Sequence, residues 1–114
     1  MAAGVLRIPS NAFNPLVRIE AYRLLGRSHV SLGRPQAAFE AAERAVAVAA
    51  EVGFVWMELL VTLDMLRWAR ASSMAREAAA YRTRLDGVVQ RVQATPEELA
   101  SLPDWKSGVG GAEL

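Results

Sequence analysis

The chain has 114 residues, 53% of them hydrophobic, and its 13 basic and 12 acidic side chains give a net charge of +1. This balance gives no basis for binding nucleic acid or an anionic membrane surface through charge. With no cysteine and one histidine, the chain by itself cannot form disulfides, thiolate zinc sites, iron–sulfur clusters or multi-histidine metal sites.

Alanine makes up much of the hydrophobic fraction and has the highest helix propensity of any residue. No stretch alternates apolar and polar residues for long enough to indicate a strand, so the sequence predicts an all-α protein. Residues 1–9 have no preceding basic region, and the apolar stretch 54–69 is interrupted by charges. We therefore expect no signal peptide, no membrane span and a cytoplasmic location.

The first predicted helix starts at Asn14-Pro15. Asn can cap free backbone N–H groups, and Pro is tolerated at the first helical position. The helix is expected to run over about residues 15–32, where Gly33 supplies the left-handed conformation that ends a helix. Residues 1–13 show no period, and we interpret them as an irregular lead-in.

The second predicted helix starts at Pro35 and ends before Gly53. It has a charged face and a face of small or apolar residues, which indicates burial on one side. The buried face is predicted to comprise Ala38, Ala42, Ala45, Ala49 and Val52. Small side chains at these positions allow a close approach to the first helix.

Two longer helices and a short one are predicted in the second half of the chain. The third, about residues 54–71, is apolar on two sides, which is typical of a helix held between neighbours. The fourth covers about residues 74–93 and has an apolar stripe at spacings of three and four. A capping box at Thr95-Pro96-Glu97-Glu98 predicts a short helix over residues 95–102. The glycine-rich residues 103–114 are expected to be a flexible tail.

Residues 19–50 combine an aromatic side chain, a Leu-Gly pair, a glycine turn and regularly spaced small residues. The matching residues are Tyr22, Leu25, Gly26, Gly33, Ala38 and Ala45. This stretch resembles a tetratricopeptide repeat, a helical hairpin that stacks against neighbouring hairpins. His29 stands at the second aromatic position of the family pattern, and the second helix is longer than the pattern requires.

A degenerate second unit is expected behind the first. Leu25 pairs with Leu63 at a spacing of 38, whereas Ala38 pairs with Ala78 at a spacing of 40. A longer turn near residues 71–74 would reconcile the two offsets. The resemblance implies a short α-solenoid of antiparallel hairpins over residues 14–94, with four main helices in hairpins at about 15–52 and 54–93.

The resemblance also implies a peptide-binding groove, because in this family the first helix of each hairpin lines the concave surface. Carried over by position, the groove residues are Glu20, Arg23, Arg27, Val30, Glu58, Val61, Thr62, Met65 and Trp68. Arg23 and Arg27 are four residues apart and point the same way, which suits an acidic peptide or a terminal carboxylate. A solvated basic face is the alternative interpretation.

No catalytic constellation is evident in the sequence. Ser28 and His29 are adjacent on a helix and do not face each other, so they suggest no triad. Asp64 is expected to bond locally to Arg67 or Trp68, and it would need such a partner if it is buried. We therefore expect no enzymatic activity, no cofactor and no metal site.

The leading functional hypothesis is a scaffold or adaptor that binds a protein or peptide in its groove. One alternative is a self-associating helical module, a homodimer with the two-sided third helix at the interface. A third possibility is a sensor of a small apolar ligand held near Trp56 and Trp68. Neither nucleic acid nor membrane is an expected partner.

Overall fold

The computed structural model describes residues 14–103 and 105–109, and all regular structure in this part of the chain is helical. The predicted all-α class is therefore confirmed. The helices are α1 Pro15–Ser31, α2 Pro35–Val52, α3 Val55–Ala71, α4 Ala75–Val92, α5 Pro96–Ala100 and α6 Trp105–Val109. Within the described residues, none of these helices has the length and apolar character needed to cross a bilayer.

The ends of the first two helices follow from local chemistry. The Asn14 side chain accepts a hydrogen bond of 2.9 Å from the backbone N–H of Val17, and Pro15 begins α1. Gly33 and Gly53 adopt left-handed backbone conformations, with φ of +72° and +78°, and so terminate α1 and α2. The predicted start of α1 and the predicted glycine turns are confirmed.

Helices that follow each other in sequence pack against each other. α1 packs on α2, α2 on α3, and α3 on α4. Three residues join α1 to α2 and α3 to α4, and two residues join α2 to α3. The chain therefore forms two helical hairpins, α1–α2 and α3–α4, with α2 and α3 between the outer helices.

The two hairpins are related by a constant offset along the chain. α1 and α3 begin at positions 15 and 55 and end at positions 31 and 71, and α2 and α4 show the same offset of 40. The left-handed residues repeat in the same way, because Ser73 and Gln93 have φ of +57° and +59° at the positions equivalent to Gly33 and Gly53. This repeat is longer than the roughly 34 residues of a tetratricopeptide repeat.

The predicted offset of 38 for the first helices is wrong. Position 25 corresponds to Met65 rather than to Leu63, and no longer turn follows α3, since both hairpin turns contain three residues. Leu63 and Met65 are both apolar but lie on opposite sides of α3, because two residues rotate a helix by roughly 200°. Pairing Leu25 with Leu63 therefore assigned the equivalent positions to the wrong side of α3.

The buried residues form two clusters on either side of α3. Cluster one joins the hairpins and contains Ile19, Tyr22, Ala38, Phe39, Ala42, Ala45, Val48, Ala49, Val61, Met65, Trp68 and Ala69. Cluster two joins the second hairpin to the C-terminal helices and contains Leu59, Leu63, Leu66, Leu85, Val88, Leu99, Trp105 and Val109. α3 contributes to both, which explains why its sequence is apolar on two sides.

The C-terminal segment differs from the flexible tail expected from residue 103. Residues 105–109 form α6, whose Trp105 and Val109 are buried in cluster two. These side chains are four residues apart and share one face of the helix, so apolar burial outweighs the local glycine content. Residue 104 and residues 110–114 lie outside the described part of the chain, as does the predicted lead-in 1–13.

α5 and α6 occupy the place in the chain where a third hairpin would have its first helix. The N-cap of α5, Thr95, lies at the position equivalent to Val55, where α3 begins, and the predicted capping box with Glu98 is present. Pro103 lies between α5 and α6 and disfavours a continuous helix. Together, α5 and α6 cover the apolar side of α3 and α4 that faces away from the first hairpin.

Tyr81 lies at the contact between α2 and α4. The centroid of its ring is 5.2 Å from that of Phe39. The Arg84 guanidinium lies 5.6 Å from the centroid of the Tyr81 ring and also bonds to Glu43. Burial, followed by the nearby carboxylate of Glu43, raises the pKa of Tyr81 above its ordinary value. The neutral phenol is therefore favoured in the folded protein.

A raised tyrosine pKa predicts a loss of stability in alkali. The stabilisation from Tyr81 is fully present below the ordinary tyrosine pKa of about 10 and is lost as pH rises through the higher folded value. Urea unfolding measured across this range should show a steeper loss of stability for the native chain than for Tyr81→Phe. Parallel pH profiles for the two proteins would contradict the expectation.

Candidate binding groove between α1 and α3

A groove lies between α1 and α3 and consists of two adjoining cavities of about 640 and 540 Å3. The first, called the arginine half, is lined by Arg27, Val30, Ser31, Arg67, Trp68, Arg70 and Ala71. The second, called the leucine half, is lined by Arg23, Arg27, Leu60, Leu63, Asp64, Arg67, Trp68, Leu102 and Pro103. Arg27, Arg67 and Trp68 belong to both halves, so the groove is continuous.

The groove follows from the way the hairpins pack. α1 and α3 both pack on α2 but contact each other little, which leaves a depression between them. Arg23 and Arg27 are one helical turn apart on α1, and Asp64, Arg67 and Trp68 share a face of α3 at spacings of three and four. The depression is therefore lined by charged side chains together with the aromatic ring of Trp68.

An ion-pair network crosses the groove at its base. Arg23 Nε donates a hydrogen bond of 2.9 Å to Asp64 Oδ2, and Arg67 Nη1 lies 3.5 Å from Asp64 Oδ1. The Asp64 side chain is 7% exposed and that of Arg23 is 14% exposed. The predicted local contact of Asp64 with Arg67 is present, but the shorter contact is made to α1 of the other hairpin. Arg23 therefore serves mainly to neutralise a buried carboxylate.

Arg27 differs from Arg23 in its surroundings. Its side chain is exposed, and among the described residues it makes no hydrogen bond or ion pair. It lies beside Arg67 and Arg70 in the arginine half, where no carboxylate is among the lining residues. Arg27, which has no acidic partner among the described residues, therefore makes this half of the groove suited to an anionic group.

Four of the nine predicted groove residues line the groove. They are Arg23, Arg27, Val30 and Trp68, and Glu20 lies at the edge within 3.4 Å of Arg23. The other four were predicted wrongly as groove residues. Val61, Thr62 and Met65 are at most 1% exposed, and the buried Glu58 bonds to Arg91 of α4.

The error comes from the offset between the hairpins. An offset of 38 relates the four α1 groove residues to Glu58, Val61, Met65 and Trp68, three of which point into the protein. The observed offset of 40 relates the same α1 residues to Leu60, Leu63, Arg67 and Arg70, and all four line the groove. The offset was visible in the second helices, where Ala38 pairs with Ala78, and it would have found the missed residues.

Comparison with known proteins does not extend the sequence resemblance. No family model, curated protein or solved structure matches the chain. Across the described residues, no group of three histidine or acidic side chains is placed to hold a metal ion. The groove is therefore interpreted from its own geometry and charge.

Proposed function

We propose that the chain is a protein-interaction scaffold that binds an acidic peptide segment in the groove between α1 and α3. In this proposal the two hairpins act as a short solenoid similar to a tetratricopeptide array, with helices longer than the family standard. The observation that carries the proposal is the arginine half of the groove, where the exposed Arg27 lies beside two further arginines above Trp68. Guanidinium groups bind carboxylates through paired hydrogen bonds.

A peptide fits the groove better than a nucleic acid for two reasons. The net charge of +1 means that the chain has no excess of basic residues of the kind that nucleic-acid-binding domains carry. The other half of the groove combines arginines with leucine and proline side chains and contains the Asp64 carboxylate, which would repel a phosphate backbone. A short segment with a local negative charge satisfies both features.

The charge reversal Arg27→Glu tests the proposal. Its side chain has no structural partner among the described residues, so the fold should be retained. We expect the Kd for a fluorescein-labelled glutamate-rich octapeptide, measured by anisotropy, to rise by about tenfold, or about 1.4 kcal/mol. Arg23 is unsuitable for this test, because its replacement would also expose the buried charge of Asp64.

Arg76→Glu is the matched control for this experiment. Arg76 is exposed on α4, outside the groove, and the substitution changes the net charge by the same amount. The control should bind the peptide nearly as well as the native chain. Equal weakening by the two variants would indicate a general charge effect and would contradict the groove assignment.

The two alternative functions are less well supported. Most apolar side chains of α3, expected at a homodimer interface, are buried within the chain by the first hairpin and by α5 and α6, whereas Trp56 is 39% exposed. Trp56 and Trp68, expected to hold one small ligand, line different cavities, since Trp56 lies with Leu16 and Phe54 at the other end of α3. The contacts of α3 therefore favour the groove proposal over both alternatives.

A further inference from the structure

The leucine half of the groove adds leucine and proline side chains to Arg27 and Arg67, which it shares with the arginine half. Leu60 and Leu63 of α3 face Leu102 and Pro103 of the C-terminal segment across it. The Asp64 carboxylate at its base is bonded to Arg23, so these two opposite charges offset each other. The partly exposed Leu60 and Leu102 therefore offer an apolar side chain a contact surface next to the arginines.

The C-terminal segment makes this half a defined pocket. Residues 102 and 103 connect α5 to α6, and both helices are anchored in cluster two by Leu99, Trp105 and Val109. Without this wall, the apolar side chains of α3 would be open to solvent on that side. α3 and the C-terminal segment that contains α5 and α6 thus form the pocket together.

The spacing of the two halves sets the spacing of the groups they would bind. Leu60 and Leu63 lie seven residues before Arg67 and Arg70 on α3, which corresponds to roughly 10 Å along the helix axis. An extended peptide advances about 3.3 Å per residue. Groups held in the two halves would therefore be about three residues apart in an extended ligand.

Resting on the proposed function, we infer that the groove recognises an acidic residue and a large apolar residue about three positions apart in one extended segment. The arginine half binds the carboxylate, and the leucine half buries the apolar side chain. The acidic group alone gives weak binding, because an exposed arginine site is strongly hydrated. Burial of the second side chain adds affinity and restricts the choice of partner.

Labelled octapeptides in a glycine-serine background test this inference by fluorescence anisotropy. One peptide carries two glutamates, a second carries one leucine, and two more carry both features three residues apart in either order. We expect one of the combined peptides to bind about tenfold more tightly than the acidic peptide, as burial of a leucine side chain implies. Leu102→Ser should remove this gain without changing the Kd of the acidic peptide.

The outcomes separate the inference from the proposed function. Equal affinity of the acidic and combined peptides, unaffected by Leu102→Ser, overturns the inference and leaves the proposed function in place. Failure of every acidic peptide to bind overturns both. Thermal unfolding checks that Leu102→Ser is folded, and the partly exposed Leu60, changed to Ser, gives a second variant of the same pocket.

Discussion

Gly26→Leu is expected to lower the free energy of unfolding by about 3 kcal/mol, because the site is already filled. A Cβ atom at position 26 would lie 2.7 Å from Trp68 Cη2 and 3.3 Å from the backbone oxygen of Ala38. Trp68 is buried in cluster one, and Ala38 belongs to the backbone of α2. A leucine side chain would therefore have to displace the Trp68 ring from cluster one or push α1 away from the backbone of α2.

Gly87→Ala is the matched control, since Gly87 is also inside a helix. A Cβ atom there would meet no atom within 4 Å, so the substitution should stabilise the protein by about 0.8 kcal/mol through helix propensity. Urea unfolding followed by far-UV circular dichroism measures both variants. No effect of Gly26→Leu would contradict the packing described for α1, α2 and α3, and destabilisation by Gly87→Ala would contradict the open site described on α4.

Arg23→Leu is expected to cost about 3 kcal/mol, because it leaves the Asp64 carboxylate buried without its main partner. The side chains of both residues are largely shielded from water, and the 2.9 Å contact joins the two hairpins. Arg67 lies 3.5 Å from Asp64, and its side chain is 34% exposed. Arg67→Leu should therefore lower the free energy of unfolding by less than about 1 kcal/mol. Urea unfolding measures both changes.

The double variant Arg23→Leu with Asp64→Leu separates the loss of a contact from the burial of an unpaired charge. A buried pair replaced by apolar residues of similar size is often nearly neutral in stability. We therefore expect the double variant to regain most of the stability lost by Arg23→Leu. Asp64→Leu is measured as the second single variant. If the losses of stability from the two single substitutions add up in the double variant, these residues do not interact across the hairpins.

The helix ends were predictable where the sequence has residue types that strongly prefer helix termini. Asn14-Pro15, Gly33 and Gly53 each occupy a position whose backbone requirement favours that residue type. The second hairpin turns at Ser73 and ends at Gln93, which adopt left-handed conformations without glycine. Since these residues are not typical of helix ends, the turns of the second hairpin did not reveal the offset of 40, which the sequence showed only in the second helices.

The groove was predictable in part for the same reason. Arg23, Arg27 and Val30 of the first hairpin line the groove, whereas the predicted positions on α3 depended on an offset of 38 instead of 40. The Arg23–Asp64 pair joins positions far apart in sequence, and such a contact depends on the packing of two helices. The wall at Leu102 and Pro103 was missed because glycine content concealed the burial of Trp105 and Val109.

The indole N–H signals of the three tryptophans provide the most direct measurement of where a peptide binds. In ¹H–¹⁵N spectra, assigned with single Trp→Phe variants, titration with the combined acidic and leucine peptide should shift the signal of Trp68, which lies at the base of the groove. The signal of Trp56, which lines a separate cavity, should stay in place. A shift of Trp56 with no change at Trp68 would contradict the assignment of the groove between α1 and α3.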